Sequence, residues 1–204
     1  LMIEQLKIDF DKMVGSLKLS NENIDSRKKN FNQFLKDGFP SKRIEDWKFS
    51  DLNQIISSNI ENLRFHSDLE LSKFDKTIFI DKFAHNKIVF VNGIISKIDF
   101  SQEDENKVLL TRDFNQNEKF KVVNPLVSLN NALTTSYIRL TIKENYSLNK
   151  PLIIYYITSK DLKSTVLNLK TDIVLEKNSG LKVVNLFDDN SENNFINIVQ
   201  NFDI

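Results

Sequence analysis

The strongest constraint on the fold is an alternation of apolar and polar residues through the last third of the chain. In residues 138–142, isoleucine and leucine alternate with arginine and threonine, and residues 167–175 carry a similar pattern. A period of two predicts strands with one buried face. The segment 151–157, PLIIYYI, is apolar at almost every position. That segment predicts a strand that is covered on both faces.

The predicted strands recur at a regular step. They begin near residues 138, 152, 166, 181 and 195, which are 14 or 15 positions apart. Such a step fits either a meander of antiparallel hairpins or the stacked coils of a β-solenoid. Apart from Asn178-Ser179-Gly180, the connections lack the two-residue turn sequences of tight hairpins. The pattern therefore favours the solenoid.

Two signals upstream indicate a hairpin and a short helix. Runs of β-branched and aromatic residues flank Asn92-Gly93, a dipeptide that is typical of two-residue hairpin turns. Pro125 stands where a first helical residue is expected, and the apolar residues after it have helical spacing. We therefore predict a β-hairpin around 92–93 and a helix near 125–133.

Residues 1 to about 70 are predicted to be mostly helical. Ser20 is a suitable N-cap for a helix that ends at Gly38, and Phe39-Pro40 then stops it. Ser41 is a possible cap for a third helix. The first helix has an apolar stripe at Ile3, Leu6, Phe10, Met13, Val14 and Leu17. In the third, the residues expected to face inward are Ile44, Trp47, Leu52, Ile55 and Ile56.

Composition excludes several classes of function. Lysine plus arginine and aspartate plus glutamate each number 28, so the chain lacks the basic excess of a nucleic-acid-binding protein. There is no cysteine, hence no disulfide and no thiolate ligand or nucleophile. The sequence shows neither a signal peptide nor a long apolar span. We expect a soluble, cytoplasmic protein that contacts neither nucleic acid nor membrane.

No motif indicates a catalytic, cofactor or metal site. GxxxxGK[ST], GxGxxG, CxxC, HExxH and GxSxG are all missing from the sequence. The two histidines, His66 and His85, are 19 positions apart and are better interpreted as ordinary surface or boundary residues than as ligands. Residues 188–194, DDNSENN, hint at a calcium loop but lack its glycine and terminal glutamate, so a polar turn is preferred. Glu45 and Asp46 are adjacent and should face solvent.

Trp47, the single tryptophan, lies among charged residues. The simplest interpretation is that it anchors the third helix to the helical layer while its neighbours face water. Read as a string, however, residues 38–52, GFPSKRIEDWKFSDL, resemble the GLPTRRxEDWKYTDL signature of the SufD family. Here Ser41 and Ser50 replace threonine, Phe49 replaces tyrosine, and Ile44 stands where the family tends to be acidic.

Two further segments extend the resemblance over most of the chain. Residues 87–96, KIVFVNGIIS, are similar to the family's LVFVNGxFS, and residues 124–158 are similar to its segment that runs from the FxALNxAL motif into two strands. The resemblance implies a scaffold protein of the SUF iron–sulfur cluster assembly system, with a SufB-like paralogous scaffold and a SufC-like ATPase as partners. The EDWK string favours SufD over SufB.

The resemblance also implies a fold and its boundaries. We expect an α+β chain with an N-terminal helical domain at 1–75, followed at 76–204 by strands, the helix near 125–133 and the start of a right-handed parallel β-helix. Because SufD-type chains are longer, we also expect a truncated reading frame that covers their N-terminal half. No catalytic, cofactor-binding or metal residue carries over, since the family's functional residues lie beyond the segments compared.

Two alternatives to a non-catalytic scaffold remain at this point. A β-solenoid could bind or cleave polysaccharide through carboxylates and aromatic rings along one face, although the predicted strands expose mainly lysine, asparagine, threonine and serine. The chain could also be an interaction domain with a different partner. Because the chain has no cysteine and its two histidines are 19 positions apart, we expect it to bind no iron–sulfur cluster by itself.

Overall fold

The computed structural model describes residues 2–60, 62–66, 79–112 and 124–204. Their α-helices are α1 (Met2–Ser16), α2 (Asn21–Asp37), α3 (Leu52–Asn59), α4 (Gln102–Glu105) and α5 (Pro125–Leu133). A short 3-10 helix covers Glu45–Trp47. The strands are β1 (Asn86–Val91), β2 (Ile94–Asp99), β3 (Val108–Thr111), β4 (Ser136–Ile142), β5 (Leu152–Thr158), β6 (Val166–Leu175), β7 (Val183–Asp189) and β8 (Phe195–Asp203).

Helices α1 and α2 form as their caps and apolar stripes predict. The Ser20 side chain accepts a hydrogen bond from the Asn23 backbone N–H at 3.2 Å, which satisfies one free donor at the start of α2. Gly38, with a φ of +70°, ends the helix in a conformation that favours glycine. Phe10 of α1 stacks on Phe31 of α2 with ring centroids 4.1 Å apart. Both predicted helices are confirmed.

The predicted third helix begins later than Ser41. Asp51, not Ser41, caps α3, because its carboxylate accepts from the Gln54 N–H at 3.0 Å. The preceding residues form only a single 3-10 turn. Ile44 and Ile55, expected to face inward, are 39 and 49 % exposed. The apolar residues of this segment lie on two short elements, so they do not share the single face that a continuous helix would give them.

The hairpin and the helix near 125–133 are confirmed. Strands β1 and β2 pair antiparallel across Asn92 and Gly93, which both have positive φ values (+48° and +83°), as in a type I′ turn. Pro125 is at the N-terminus of α5, and the Asn124 side chain accepts from the Leu126 N–H at 2.9 Å.

The described strands form two mixed sheets of four strands each, with the orders β2-β1-β5-β7 and β3-β4-β6-β8. In each sheet the first pair is antiparallel and the other two pairs are parallel. The predicted right-handed parallel β-helix is therefore wrong. In addition, α4 and α5 lie between strands along the chain, so the helices do not simply precede a β-helix.

The physical reason for this error is that spacing along the sequence does not specify which strands pair. From β4 onward, successive strands alternate between the two sheets, so a step of 14 or 15 residues arises from crossing between sheets. The alternative meander is wrong too, because within the described part of the chain no strand from β4 to β8 pairs with its neighbour in sequence. The predicted boundary between residues 75 and 76 lies outside the described residues.

An apolar core lies between the sheets. It combines side chains from β1 and β5 of one sheet with side chains from β4 and β6 of the other, including Ile88, Phe90, Leu140, Ile154 and Leu169. Each such isoleucine or leucine contributes about 1.5–3 kcal/mol by leaving water. The opposite face of the first sheet carries a second cluster that contains Ile153 and Tyr155. Strand β5 is thus buried on both faces, as its sequence predicts.

A third apolar cluster joins helices α1, α2 and α3 to α5 and to Val166 of β6. Phe39 lies at the edge of this cluster, and its ring makes an edge contact with Phe195 of β8 at 6.1 Å. The helical layer therefore packs against the end of the second sheet through aromatic and aliphatic side chains. This contact positions the segment that follows α2.

The carboxylate of Asp104 ties helix α4 to β1 and to the connection between β4 and β5. Asp104 has no exposed surface. Burial by itself raises its pKa, but hydrogen bonds outweigh burial and lower the pKa to about 2. The donors, at 2.7–3.3 Å, are Asn86 Nδ2, Ser101 Oγ, Tyr146 OH and the backbone N–H groups of Asn149 and Lys150.

The substitution Asp104→Asn tests this carboxylate. An amide in its place removes acceptor capacity and directs its own N–H groups at donors, so we expect the free energy of unfolding to fall by about 2 kcal/mol near neutral pH. In the wild type, the pKa of about 2 lies below the unfolded value of about 4. The stabilisation is therefore complete above about pH 4 and is lost as the pH falls towards 2.

Urea unfolding at a series of pH values measures this effect, and the Asp104→Asn variant should lack the corresponding loss between about pH 4 and 2. Asp161→Asn is the matched control, because Asp161 is exposed. An Asp104→Asn variant that unfolds with the same pH dependence as the control variant would contradict the assigned role.

Candidate interaction site

The string that resembles the SufD signature forms a closed surface loop between α2 and α3. The loop leaves α2 at Gly38 and returns at Leu52, whose backbone N–H donates to the Pro40 carbonyl at 3.1 Å. Phe39 is buried and meets Phe34 edge-on at 5.1 Å. Buried Phe39 and Leu52 therefore fix the two ends of the loop in the helical core.

Trp47 lies in the middle of the loop, in its 3-10 turn. It is half-buried and packs against the helical cluster, whereas Glu45, Asp46 and Lys48 are exposed. This confirms the prediction that Trp47 is a packing residue with solvated charged neighbours. It anchors the turn that precedes α3, because the helix itself begins only at Leu52.

Phe49, two residues later, points into solvent. Its side chain is 87 % exposed. Its ring has Lys48 Nζ at 5.0 Å from the centroid, and an exposed cation–π contact of this kind contributes about 0.5–1 kcal/mol. That contact leaves the ring surface in water. The ring therefore presents apolar surface to the solvent.

A groove of about 560 Å³ lies at the base of the loop. Both ends of the loop contribute to its lining. The first end contributes Ser41, Lys42 and Arg43, and the second contributes Asp51, followed by Asn53 of α3. Its apolar lining comes from α1, from the end of α2 and from the residues that follow them, including Met2, Ile3, Leu6, Phe34, Phe39 and Phe65. The groove is partly open to solvent.

The charged groups around the groove differ in the hydrogen bonds and ion pairs that they form within the protein. Asp37 accepts a hydrogen bond from Gln33 Nε2 at 2.6 Å, and Asp51 caps α3. Lys42 and Arg43 are exposed, and in the described part of the chain their side chains have no ion-pair or hydrogen-bond partner. The groove thus combines an apolar floor with two cations and two carboxylates.

The two histidines lie in different places, and His85 is not a surface residue. It is 8 % exposed; its Nδ1 lies 2.9 Å from the Phe83 carbonyl and its Nε2 2.8 Å from the Tyr155 hydroxyl. The Tyr155 oxygen accepts from the Ile80 N–H at 3.2 Å, and burial raises the pKa of Tyr155. His66 is half-buried and lines a cavity of about 190 Å³ near the β1–β2 turn.

Residues 190–194 form the connection between β7 and β8, which confirms the predicted polar turn. Asn190 Nδ2 donates to Asp188 Oδ1 at 3.1 Å, and Asp189 accepts from Ser191 and from the Thr158 hydroxyl. Asp188 and Asp189 thus accept hydrogen bonds from the turn and from β5. Over residues 2–60, 62–66, 79–112 and 124–204, no three potential ligands among histidine, cysteine, aspartate and glutamate cluster as a metal site would require.

Sequence reasoning located the loop but missed the groove and the exposure of Phe49. Phenylalanine is usually buried, so no local signal marks Phe49 as exposed. The groove requires α1, α2 and the start of α3 to meet, and this contact depends on tertiary packing. The same holds for Asp104, whose donors lie up to 46 positions away.

None of the described helices combines the length and apolar character needed to cross a membrane. No protein-family model matches the chain, and no curated protein matches it with significant similarity.

Two aromatic substitutions separate the packing role of Trp47 from the solvent-facing position of Phe49. We expect Trp47→Ala to lower the free energy of unfolding by about 2 kcal/mol, because half-buried aromatic surface is lost from the helical cluster. Phe49→Ala should lower it by at most about 1 kcal/mol, because the contact with Lys48 is the main interaction that the exposed ring makes. Urea unfolding of both variants gives the comparison. A Phe49→Ala variant as unstable as Trp47→Ala would show that Phe49 packs inside the protein.

Proposed function

We propose that this chain is a SufD-like, non-catalytic scaffold subunit for iron–sulfur cluster assembly in the cytoplasm. Its partners in this proposal are a SufB-like paralogous scaffold and a SufC-like ATPase. The observation that carries the proposal is the string GFPSKRIEDWKFSDL at residues 38–52, together with the two downstream segments that resemble the same family in the same order.

The structural roles of several residues in the string support the proposal. Gly38 ends α2 with a positive φ, Trp47 packs on the helical core, Asp51 caps α3 and Leu52 is buried. Each of these residues matches the family signature. The resemblance therefore includes residues that shape the loop, which a chance match of exposed charged residues would not explain.

The proposal depends on the sequence string and not on the implied β-helix. The described strands form two mixed sheets, so the fold that the resemblance implied gives the proposal no support. The polysaccharide alternative required a solenoid with a continuous face of carboxylates and aromatic rings, and it has no basis in these two sheets. If the chain does not co-purify with SufB-like and SufC-like proteins, the remaining interpretation is an interaction domain with a different partner.

The chemistry of the chain suits a scaffold better than a catalyst. The sequence contains no phosphate-binding GxxxxGK[ST] loop, so the energy for assembly would come from ATP hydrolysis in the partner ATPase. Iron–sulfur clusters are usually held by cysteine thiolates, and this chain has no cysteine. In the proposed complex, cluster ligands come from other chains or other residues, and this chain contributes surface for assembly.

Co-expression tests the proposed partnership. A tagged version of the full-length protein is expressed with the SufB-like and SufC-like proteins of the same source. We expect all three to co-purify. Recovery of the SufB-like and SufC-like proteins as a pair that leaves this chain behind would contradict the proposal.

Anaerobic reconstitution with iron and sulfide tests the assignment of cluster ligands. We expect the chain alone to show no iron–sulfur absorbance, because thiolate ligands are missing and its two histidines lie in separate surroundings. A cysteine-containing ferredoxin reconstituted in parallel is the positive control. Absorbance that is lost in His66→Ala or His85→Ala would show that this chain binds a cluster.

A further inference from the structure

We propose that His85 is a pH-sensitive clamp, which holds residues 79–85 on the outer face of the first sheet while its imidazole is neutral and releases them when the imidazole takes up a proton. The outer face is the side of that sheet that carries the cluster with Ile153 and Tyr155. The inference is independent of the proposed function, since it concerns only contacts within this chain. It is carried by the burial of His85 and by the hydrogen bonds of its two ring nitrogens.

Residues 79–85 cover part of the outer face through two side chains. Phe79 and Ile80 pack against the cluster, and the Phe79 ring meets the Tyr155 ring edge-on with centroids 5.0 Å apart. The cluster residues from β1 and β5, each at most 3 % exposed, are Val89, Val91, Ile153, Tyr155 and Ile157. Residues 81–84, by contrast, are exposed. The segment is therefore held at its two ends, by Phe79 and Ile80 at one and by His85 at the other.

The hydrogen bonds around His85 specify which ring nitrogen carries the proton. The Phe83 carbonyl, 2.9 Å from Nδ1, can only accept, so Nδ1 donates to it. In the neutral imidazole Nε2 then carries no proton and accepts from the Tyr155 hydroxyl at 2.8 Å. The Tyr155 oxygen accepts in turn from the Ile80 N–H at 3.2 Å. One chain of hydrogen bonds therefore joins both ends of the segment to β5.

Protonation of His85 conflicts with this arrangement. A proton on Nε2 makes both ring nitrogens donors, so the Nε2–H and the Tyr155 O–H are directed at each other. Burial raises the pKa of Tyr155, so its hydroxyl keeps its own proton. A positive charge on a side chain that is 8 % exposed also loses most of its hydration. Both costs disappear when the segment leaves the sheet and the imidazole reaches water.

The charged groups around this face do not pair with the imidazole. They are Asp81 and Lys82 of its own segment, Lys87 of β1, Lys97 and Asp99 of β2, and Asp188 of β7, which is on the same face as Leu186. Lys87 and Lys97 both pair with Asp99, at 3.7 and 3.2 Å. Asp188 accepts from Asn190 Nδ2 at 3.1 Å. Among the described residues no carboxylate bonds to His85, so none offsets the cost of its charge.

Hydrogen–deuterium exchange of the full chain at pH 7.5 and 5.5 tests the clamp, with each rate corrected for the intrinsic pH dependence of exchange. An exposed histidine takes up its proton near about pH 6.5, so release becomes more favourable as the pH falls below that value. We expect the opening equilibrium of the Ile80 amide to rise about tenfold between the two pH values. Amides of α5 should show no such rise, and Asp104, with a pKa of about 2, stays ionised throughout.

Two histidine substitutions serve as the variant and its matched control. His85→Gln cannot take up a proton at this position, so we expect it to abolish the tenfold rise. His66→Gln removes the other histidine of the chain and should keep the rise. A wild type whose Ile80 exchange is the same at both pH values would overturn the proposal, whatever the variants do. So would a rise that persists in His85→Gln, one that is lost in His66→Gln, or an equal rise in α5, which would indicate global unfolding.

Discussion

The position of helix α5 on the second sheet is the contact on which the rest of the structure depends. Asn130 of α5 has no exposed surface, and its side-chain N–H groups donate to the carbonyls of Leu169 in β6 and Asn197 in β8, both at 2.9 Å. The Asn197 side chain in turn donates to the Leu126 carbonyl in the first turn of α5. Each buried donor that is satisfied in this way avoids a cost of about 1–3 kcal/mol. The amide groups therefore fix where α5 lies on the sheet.

Helix α5 also connects the sheet to the helical layer. The apolar residues Leu129, Ala132 and Leu133 belong to the cluster formed by α1, α2 and α3. The buried guanidinium of Arg27 in α2 donates to the Ala132 carbonyl at 2.9 Å, and burial lowers the pKa of Arg27 to about 10. At that value Arg27 stays charged at neutral pH, so it satisfies a carbonyl near the end of α5 with a charge-assisted bond.

The candidate interaction site follows from this arrangement. Phe39 packs between Phe34 of α2 and Phe195 of β8, so the start of the 38–52 loop contacts both the helices and the sheet. Asp9 of α1, which is buried, accepts from the Phe65 backbone N–H at 2.7 Å and holds that ring at the floor of the groove. The groove and its exposed loop are thus supported by buried contacts of α1, α2 and β8.

The sequence by itself determined the local structure. Ser20 and Gly38 bound α2, Pro125 starts α5, Asn92-Gly93 forms the hairpin turn, and alternation marks the strands. These features depend on backbone preferences and side-chain periods that act over a few residues. Strand pairing, the closure of the groove, the bonds to Asp104 and the exposure of Phe49 were decided only by tertiary structure. Each of them depends on which distant segments meet, and a regular spacing of strands is compatible with several such arrangements.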